Sequence, residues 1–198
     1  LHASTVEQAM QYAHFSSSAL ELAERFWPGP LTLILQKTSA TPNEVTGNKN
    51  TVGVRIPDHP VALELLFGLN RPIAAPSANP FGTISPTTAQ HVKKYFGDNI
   101  LILDGGPCKV GIESTIVDLS ATPAILRPGK IGHAQIEGFL GPLGSSDTAA
   151  PGTMDAHYAP KTRLVLSESP ERTRSVLQLE GKKVAVLNNT EMVDYARN

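Results

Sequence analysis

The sequence contains very little cysteine and almost no net charge. Its single cysteine, Cys108, cannot form an intramolecular disulfide or supply a thiolate pair for zinc, so we expect a reducing, cytoplasmic setting. Lys and Arg total 17 against 18 Asp and Glu, which gives a formal net charge of −1. This balance argues against a protein that binds long stretches of nucleic acid, because affinity for nucleic acid comes largely from basic residues that neutralise phosphates.

Long hydrophobic runs and the common catalytic motifs are also absent. No segment approaches the roughly 20 apolar residues that span a bilayer, and the N-terminal residues do not resemble a signal peptide, so no membrane partner is predicted. The motifs Gly-x-Ser-x-Gly, His-Glu-x-x-His, Gly-x-x-x-x-Gly-Lys and Gly-x-Gly-x-x-Gly do not occur. The histidines stand singly, without partners at ligand spacing, so no protein metal site is predicted.

What the sequence does have is the pattern of a folded α/β protein. Its 198 residues, 40% of them hydrophobic, suffice for one full domain and part of another. Apolar runs typical of strands alternate with helical segments, two of which begin at the capping-box patterns Ser4-x-x-Glu7 and Ser18-x-x-Glu21. The predicted helices cover residues 5–14, 19–26, 60–66, 88–96 and 171–179, and the predicted strands cover 31–36, 51–56, 73–75, 100–103, 114–119, 124–126, 163–166 and 183–187.

The composition divides the chain into three parts. Residues 1–140 carry the first series of strands and helices. Residues 141–160 are rich in Gly, Ser, Ala and Pro and are predicted to form an inter-domain linker. Residues 161–198 carry a strand-helix-strand pattern that is too small to fold alone. We expect the chain to be a fragment of a longer protein, because it starts without Met and ends within this pattern.

Short hydroxyl side chains, one asparagine and isolated arginines are predicted to lie in loops and near strand ends. They are Arg55, Ser77, Asn79, Ser85, Ser114, Thr115 and Arg127. Hydroxyls beside free N–H groups suit phosphate oxygens, and arginine clamps a carboxylate or phosphate through two parallel bonds, so the set indicates a site for an anionic small molecule. Each member also has a structural alternative, as a helix cap, a turn residue, a strand former or a surface ion pair.

Six short motifs in fixed order resemble those of the YrdC-type threonylcarbamoyl-AMP synthase family. They are Phe26-Trp-Pro-Gly-Pro-Leu-Thr-Leu33, Thr51-Val-Gly-Val-Arg-Ile-Pro57, Ala75-Pro-Ser-Ala-Asn79, Ser85-Pro-Thr87, Glu113-Ser-Thr-Ile-Val-Asp118 and Leu126-Arg-Pro-Gly129. Ala150-Pro-Gly152 and His157-Tyr-Ala-Pro160 are similar to the linker of the longer, two-domain subtype. The resemblance implies a YrdC-like twisted mixed sheet with helices in residues 1–140, followed by a linker and the start of a small Rossmann-like α/β domain.

The resemblance also implies an activity. Members of this family are nucleotidyltransferases that convert L-threonine, bicarbonate and ATP into L-threonylcarbamoyladenylate, pyrophosphate and water. A downstream threonylcarbamoyl transferase uses the product to make threonylcarbamoyladenosine at position 37 of tRNA. ATP would be a substrate, and Mg²⁺ would accompany its phosphates rather than occupy a protein cage.

Residue roles follow from the motif matches alone. By resemblance, Arg55 clamps the carboxylate of threonine and Thr115 lies near threonine. The residues matched to ATP contacts are Thr51, Ser77, Ser85, Arg127 and, in the linker, Tyr158. The family's Lys-x-Arg segment would lie upstream of residue 1, so no catalytic residue is assigned and the fragment itself is expected to be inactive or weakened.

Two other functions remain open at this point. A non-catalytic module of the same fold that binds double-stranded RNA or tRNA is the main alternative, with scattered basic residues as its support: Lys93, Lys94, Arg172, Arg174, Lys182 and Lys183. A carbamoyl-transfer domain of the hydrogenase-maturation type is the second, but it should come with zinc-finger segments, of which the lone Cys108 gives no sign.

Overall fold

The computed structural model describes residues 1–146, 165, 167–184, 186–187 and 192–193. The chain divides into two compact units, Leu1–Ala159 and Pro160–Asn198. In the described part of the first unit, the helices are α1 (Val6–Met10), α2 (Ser17–Phe26), α3 (Asn43–Thr46), α4 (Pro60–Leu69), α5 (Ala89–Phe96) and α6 (His133–Leu140). The strands of this unit are β1 (Leu31–Gln36), β2 (Thr51–Val54), β3 (Thr115–Asp118) and β4 (Ala124–Arg127).

The four strands form one mixed sheet in the order β2-β1-β3-β4. Strand β1 is antiparallel to β2 and parallel to β3, and β4 is antiparallel to β3. In this register Leu33 lies beside Val54 on one side and Val117 on the other. The predicted α/β class with a twisted mixed sheet is therefore confirmed for the first unit.

The two faces of the sheet have different environments because side chains alternate along each strand. On β1, Leu31, Leu33 and Leu35 are buried in the core, while Thr32 and Ile34 are only half-buried. Helix α2 contributes Ala19, Leu22 and Ala23 to the core, and α6 contributes Ile136. The opposite face, on which Thr32 and Ile34 lie, borders an open cleft.

The first two helices begin at different residues from those predicted. The hydroxyl of Thr5 accepts a hydrogen bond from the N–H of Gln8 and caps α1. The hydroxyl of Ser16 accepts one from Ala19 and caps α2. The predicted caps Ser4 and Ser18 were therefore wrong, since in each case another hydroxyl residue with extended backbone reaches the first turn.

Some predicted strands and loops also differ from the structure. Residues 100–103 form no strand in the described chain, and Leu101 is 90% exposed. Residues 73–75 form only an isolated bridge between Ile73 and His2. Helix α3 lies between the predicted strands 31–36 and 51–56, where no helix is predicted. Helix α6 is not predicted from the sequence, because its N-cap is Gly132 rather than a hydroxyl residue. Instead, the side chain of Gln135 accepts a hydrogen bond from the N–H of Gly132.

The second unit is described only in part. Helix α7 (Pro170–Leu179) confirms the helix predicted at 171–179. Strands β5 (Val186–Leu187) and β6 (Met192–Val193) pair antiparallel, so the strand predicted at 183–187 is shorter than expected. Most of the predicted linker 141–160 and most of the predicted strand 163–166 lie outside the described residues. Across the described chain, no helix combines the length and apolarity that crossing a membrane requires.

Candidate functional site

A cleft of about 700 Å³ lies over the half-exposed face of the sheet. Alternate residues of three strand segments form its floor: Thr32 and Ile34, then Thr51, Gly53 and Arg55, then Ser114 and Ile116. The loop before α5 and the 102–113 segment form its walls, and both carry small residues. The polar floor residues Thr32, Thr51, Arg55 and Ser114 border one cavity together with Ile34, Gly53 and Ile116.

A second cavity of about 620 Å³ adjoins the cleft. Six charged or hydroxyl side chains border both cavities: Arg55, Ser85, Thr87, Glu113, Ser114 and Arg127. Asp58, His59 and Ile112 border only the second. The Nε2 atom of His59 lies 3.1 Å from the carbonyl oxygen of Gly105 and so links the second cavity to the wall of the first. These shared residues mark the junction of the two cavities as the polar centre of the site.

Arg55 follows β2 and reaches the cleft with its guanidinium fixed in place. Its Nε donates to the carbonyl of Gly29 at 2.8 Å. Burial lowers the pKa of Arg55, while the nearby carboxylates of Asp58 and Glu113 act in the opposite direction. A half-desolvated guanidinium that the backbone orients is well suited to clamp a carboxylate or a phosphate.

Arg127, at the end of β4, is held by the start of β3. Its Nε donates to the carbonyl of Ser114 and its Nη2 to the hydroxyl of Ser114, both at 3.0 Å. Nη2 also lies 4.0 Å from Oε2 of Glu113, and the Arg127 side chain is only 11% exposed. Arg127 does form an ion pair, as its structural alternative proposed, but its own side chain is mostly buried.

Ser85 and Glu113 form a close pair at the junction of the cavities. The hydroxyl of Ser85 donates to Oε1 of Glu113 at 2.6 Å. The alternative in which Ser85 caps the following helix is wrong, because Thr88 caps α5. Sequence reasoning gave Glu113 no role, although it lies in a quoted motif. Its partner is 28 residues away, and no local pattern signals such a contact.

The other hydroxyl and amide candidates separate into cleft and structural positions. Thr51 and Ser77 both line the cleft. Asn79 does not line it; its side-chain amide donates to the carbonyls of Pro80 and Thr83, as a turn residue does.

Thr115 lies on the other face of β3 from Ser114. It is fully buried, and its hydroxyl donates to the carbonyl of Ile131 at 2.9 Å and accepts from the N–H of Ile131 at 3.1 Å. It lines neither cavity, whereas Ser114 lines both and contacts Thr32 at 2.8 Å. The geometry favours Ser114, the residue directly before β3, as the hydroxyl that faces a ligand.

The remaining candidates lie elsewhere. Tyr158 falls outside the described residues. Of the scattered basic residues, Lys93 pairs with Asp98 at 3.0 Å and Lys182 pairs with Glu180 at 2.9 Å. Within the described ranges, no group of three or more His, Cys, Asp or Glu side chains is arranged to hold a metal ion.

Two family models match the chain. Residues 1–129 match the Sua5_yciO_yrdC model, described as "Telomere recombination". Residues 125–198 match the Sua5_C model, described as "Threonylcarbamoyl-AMP synthase, C-terminal domain".

Similar proteins agree with these models. A threonylcarbamoyl-AMP synthase of Pyrococcus abyssi is 41% identical over 96% of this chain and 62% of its own length. One of Bacillus subtilis is 44% identical over 87% of this chain and 54% of its own length. The chain thus spans little more than half of the length of these relatives.

Solved structures show the same likeness. P. abyssi Sua5 complexed with L-threonine matches 98% of this chain and 63% of that one, with 39% identity and a TM-score of 0.86. Escherichia coli YciO matches 69% of this chain and 66% of that one, with 26% identity and a TM-score of 0.58. The mixed sheet is accordingly a YrdC-like fold. Because its model covers well over half of the sequence, the chain belongs to the Sua5/YciO/YrdC family.

Proposed function

We propose that this chain is part of an L-threonylcarbamoyladenylate synthase, a cytoplasmic nucleotidyltransferase that acts on L-threonine, bicarbonate and ATP. The observation that carries the proposal is the convergence of Arg55 and Arg127 with hydroxyl side chains in one cleft, in a chain of this family. Two guanidiniums at one site suit a reaction between a carboxylate-bearing amino acid and a triphosphate. The product would pass to a downstream threonylcarbamoyl transferase that modifies position 37 of tRNA.

Arg55 is the proposed clamp for the carboxylate of threonine. Its Nε bond to Gly29 fixes the plane of the guanidinium, and the cleft wall shields it from water. A guanidinium group that is already fixed and partly desolvated loses little entropy when it binds a carboxylate through two parallel hydrogen bonds. We place the threonine-facing hydroxyl of β3 at Ser114 rather than at Thr115, since only Ser114 borders the cleft.

The nucleotide is proposed to lie against Arg127, Thr51 and Ser77, which line the same cleft. Arg127 is oriented through Ser114, so its charge is held in place before ATP arrives. From the motif match, Tyr158 is proposed to fold over the adenylate and exclude water. Ser85 is a weaker phosphate ligand than its motif suggests, because its hydroxyl proton is already donated to Glu113.

The proposed reaction has two steps. The amine of threonine condenses with bicarbonate to give a carbamate and water. An oxygen of the carbamate then attacks the α-phosphorus of ATP, a P–O bond forms to the carbamate, and the bond to pyrophosphate breaks. The chain would contribute positioning and charge stabilisation, with no covalent enzyme intermediate.

Magnesium fits this proposal only as part of the nucleotide. Glu113 is the sole carboxylate among the described residues that line the cleft, and one carboxylate does not make a protein cage for Mg²⁺. The ion would instead be carried by the phosphates of ATP.

The Arg55→Ala variant tests the assignment of the carboxylate clamp. Isothermal titration calorimetry should show an affinity for L-threonine that falls about 10- to 100-fold, with a much smaller change for ATP, because one charged pair is removed from the threonine site. Arg71→Ala, at an exposed residue outside both cavities, is the matched control and should change neither affinity. Equal losses for both ligands in the Arg55 variant would refute the assignment.

A further inference from the structure

We propose that Glu113 binds the α-ammonium group of the amino-acid substrate and thereby decides that the cleft accepts an amino acid rather than a simple carboxylate. This inference rests on the proposed function and adds a specificity-determining residue to it. Glu113 precedes β3 and borders both cavities at their junction.

The charge pattern of the cleft singles out this side chain. Its described lining contains three permanent cations, Lys49, Arg55 and Arg127, and Glu113 as its only carboxylate. A phosphate in direct contact with Glu113 would be repelled, even though other parts of the cleft suit a nucleotide. A zwitterion is not, because its ammonium group needs an anionic partner near the cation that holds its carboxylate.

The hydrogen bond from Ser85 strengthens the preference of Glu113 for an ammonium group over a phosphate. A serine hydroxyl has one proton to donate, and here it is directed to Oε1 of Glu113 at 2.6 Å. With that bond formed, both Ser85 and Glu113 offer only lone pairs to the cleft. Phosphate oxygens are acceptors and do not complement two acceptors, whereas an ammonium group carries three donors.

Arg127 leaves the carboxylate available. Its Nη2 lies 4.0 Å from Oε2 of Glu113, which is an ion pair without a direct hydrogen bond. The Glu113 side chain is 31% exposed, so Oε2 can be reached from the cavity. Arg127 thus holds the acid in position electrostatically while leaving lone pairs for a ligand donor.

Arg55 and Glu113 together match the two charges of an α-amino acid. Both border the two cavities, and the carboxylates of Asp58 and Glu113 are near enough to Arg55 to oppose the lowering of its pKa by burial. The carboxylate and ammonium of an amino acid are bonded to the same carbon, so their partners must lie near each other. The junction of the cavities meets this requirement.

A purely structural role for Glu113 makes a different prediction. If Glu113 only held Ser85 and Arg127 in place, its loss would weaken every ligand of the cleft to a similar degree. If Glu113 recognises the ammonium group, its loss should weaken the binding only of ligands that carry the amine. The test therefore compares two ligands that differ at that one group.

The experiment measures binding of L-threonine and of its 2-hydroxy analogue, in which a hydroxyl replaces the amine, by isothermal titration calorimetry. The proteins are the unmodified chain, Glu113→Gln, and the control Glu64→Gln, which makes the same chemical change at an exposed residue outside both cavities. Thermal unfolding of each variant confirms that it is folded. We expect the unmodified chain and the Glu64 variant to prefer L-threonine by about 10- to 100-fold, and the Glu113 variant to bind both ligands almost equally.

The outcomes separate this inference from the proposed function. If Glu113→Gln weakens both ligands by the same factor, so that the preference survives, Glu113 is a structural support and the inference is overturned. If the unmodified chain binds L-threonine no better than a non-amino carboxylate, or not at all, the proposed function itself fails.

Discussion

Replacing Thr115 with valine should destabilise the first unit, although the two side chains have nearly the same volume. In the structure the hydroxyl both donates to and accepts from the backbone of Ile131, and Thr115 is fully buried. Valine would leave one buried N–H and one buried C=O of Ile131 without their partner. Each such group costs about 1–3 kcal/mol, so we expect a loss of about 2–4 kcal/mol when partial relaxation towards solvent is allowed.

Urea unfolding measures this loss directly. With a slope of about 1–3 kcal/mol per M for a domain of this size, the midpoint should fall by roughly 1–2 M. Thr115→Ser is the matched control: it keeps both hydrogen bonds and removes one buried methyl, which costs about 1 kcal/mol. The valine variant should therefore be less stable than the serine variant, the reverse of what hydrophobic burial alone predicts.

The same pair of variants addresses the role that motif resemblance gives to Thr115. Thr115→Ser should bind L-threonine as the unmodified chain does, whereas Ser114→Ala should bind it more weakly, because Ser114 lines the cleft and orients Arg127. A valine variant as stable as the unmodified chain, or a serine variant with impaired threonine binding, would refute the reasoning.

Three further predictions follow from single contacts. Gly129→Ala should cost about 1–3 kcal/mol in urea unfolding, because its Cβ would lie 2.5 Å from a backbone nitrogen of β3, whereas Gly138→Ala, with open space around it, should not destabilise. Arg127→Lys should weaken ATP binding about tenfold in calorimetry, since lysine keeps the charge but loses the Nε bond to Ser114. Burial lowers the pKa of His2 from 6.5 to about 4. The contribution of His2 to the unfolding free energy should therefore fall as the pH drops from 6.5 to about 4 and stay constant above pH 6.5. His2→Gln should remove this pH dependence from urea unfolding curves.

Apolar runs made the strands of the sheet predictable, but local patterns misplaced what surrounds them. The apolar run in residues 31–36 predicted β1, whose leucines all face the core. Residues 100–103 are equally apolar, yet they form no strand, because strand formation also needs a neighbour to pair with. A short apolar run does not specify that neighbour.

The candidate site was predictable as a set of residues but not as a geometry. Arg55, Ser77, Ser85 and Arg127 do meet in one cleft. The contrast between Ser114 and Thr115 depends on which face of β3 is buried, and a strand as short as β3 with four buried residues does not reveal this. The Ser85 and Glu113 pair joins residues 28 positions apart, so only the fold brings it together.

The most direct test of the proposed function measures pyrophosphate release from ATP with and without L-threonine and bicarbonate. It compares this chain with a longer form that matches the full length of its relatives, of which this chain spans 62% and 54%. We expect release that requires both co-substrates in the extended form and that is absent or weaker in this chain. Absence of release in both forms, or release that does not depend on threonine, would contradict the account.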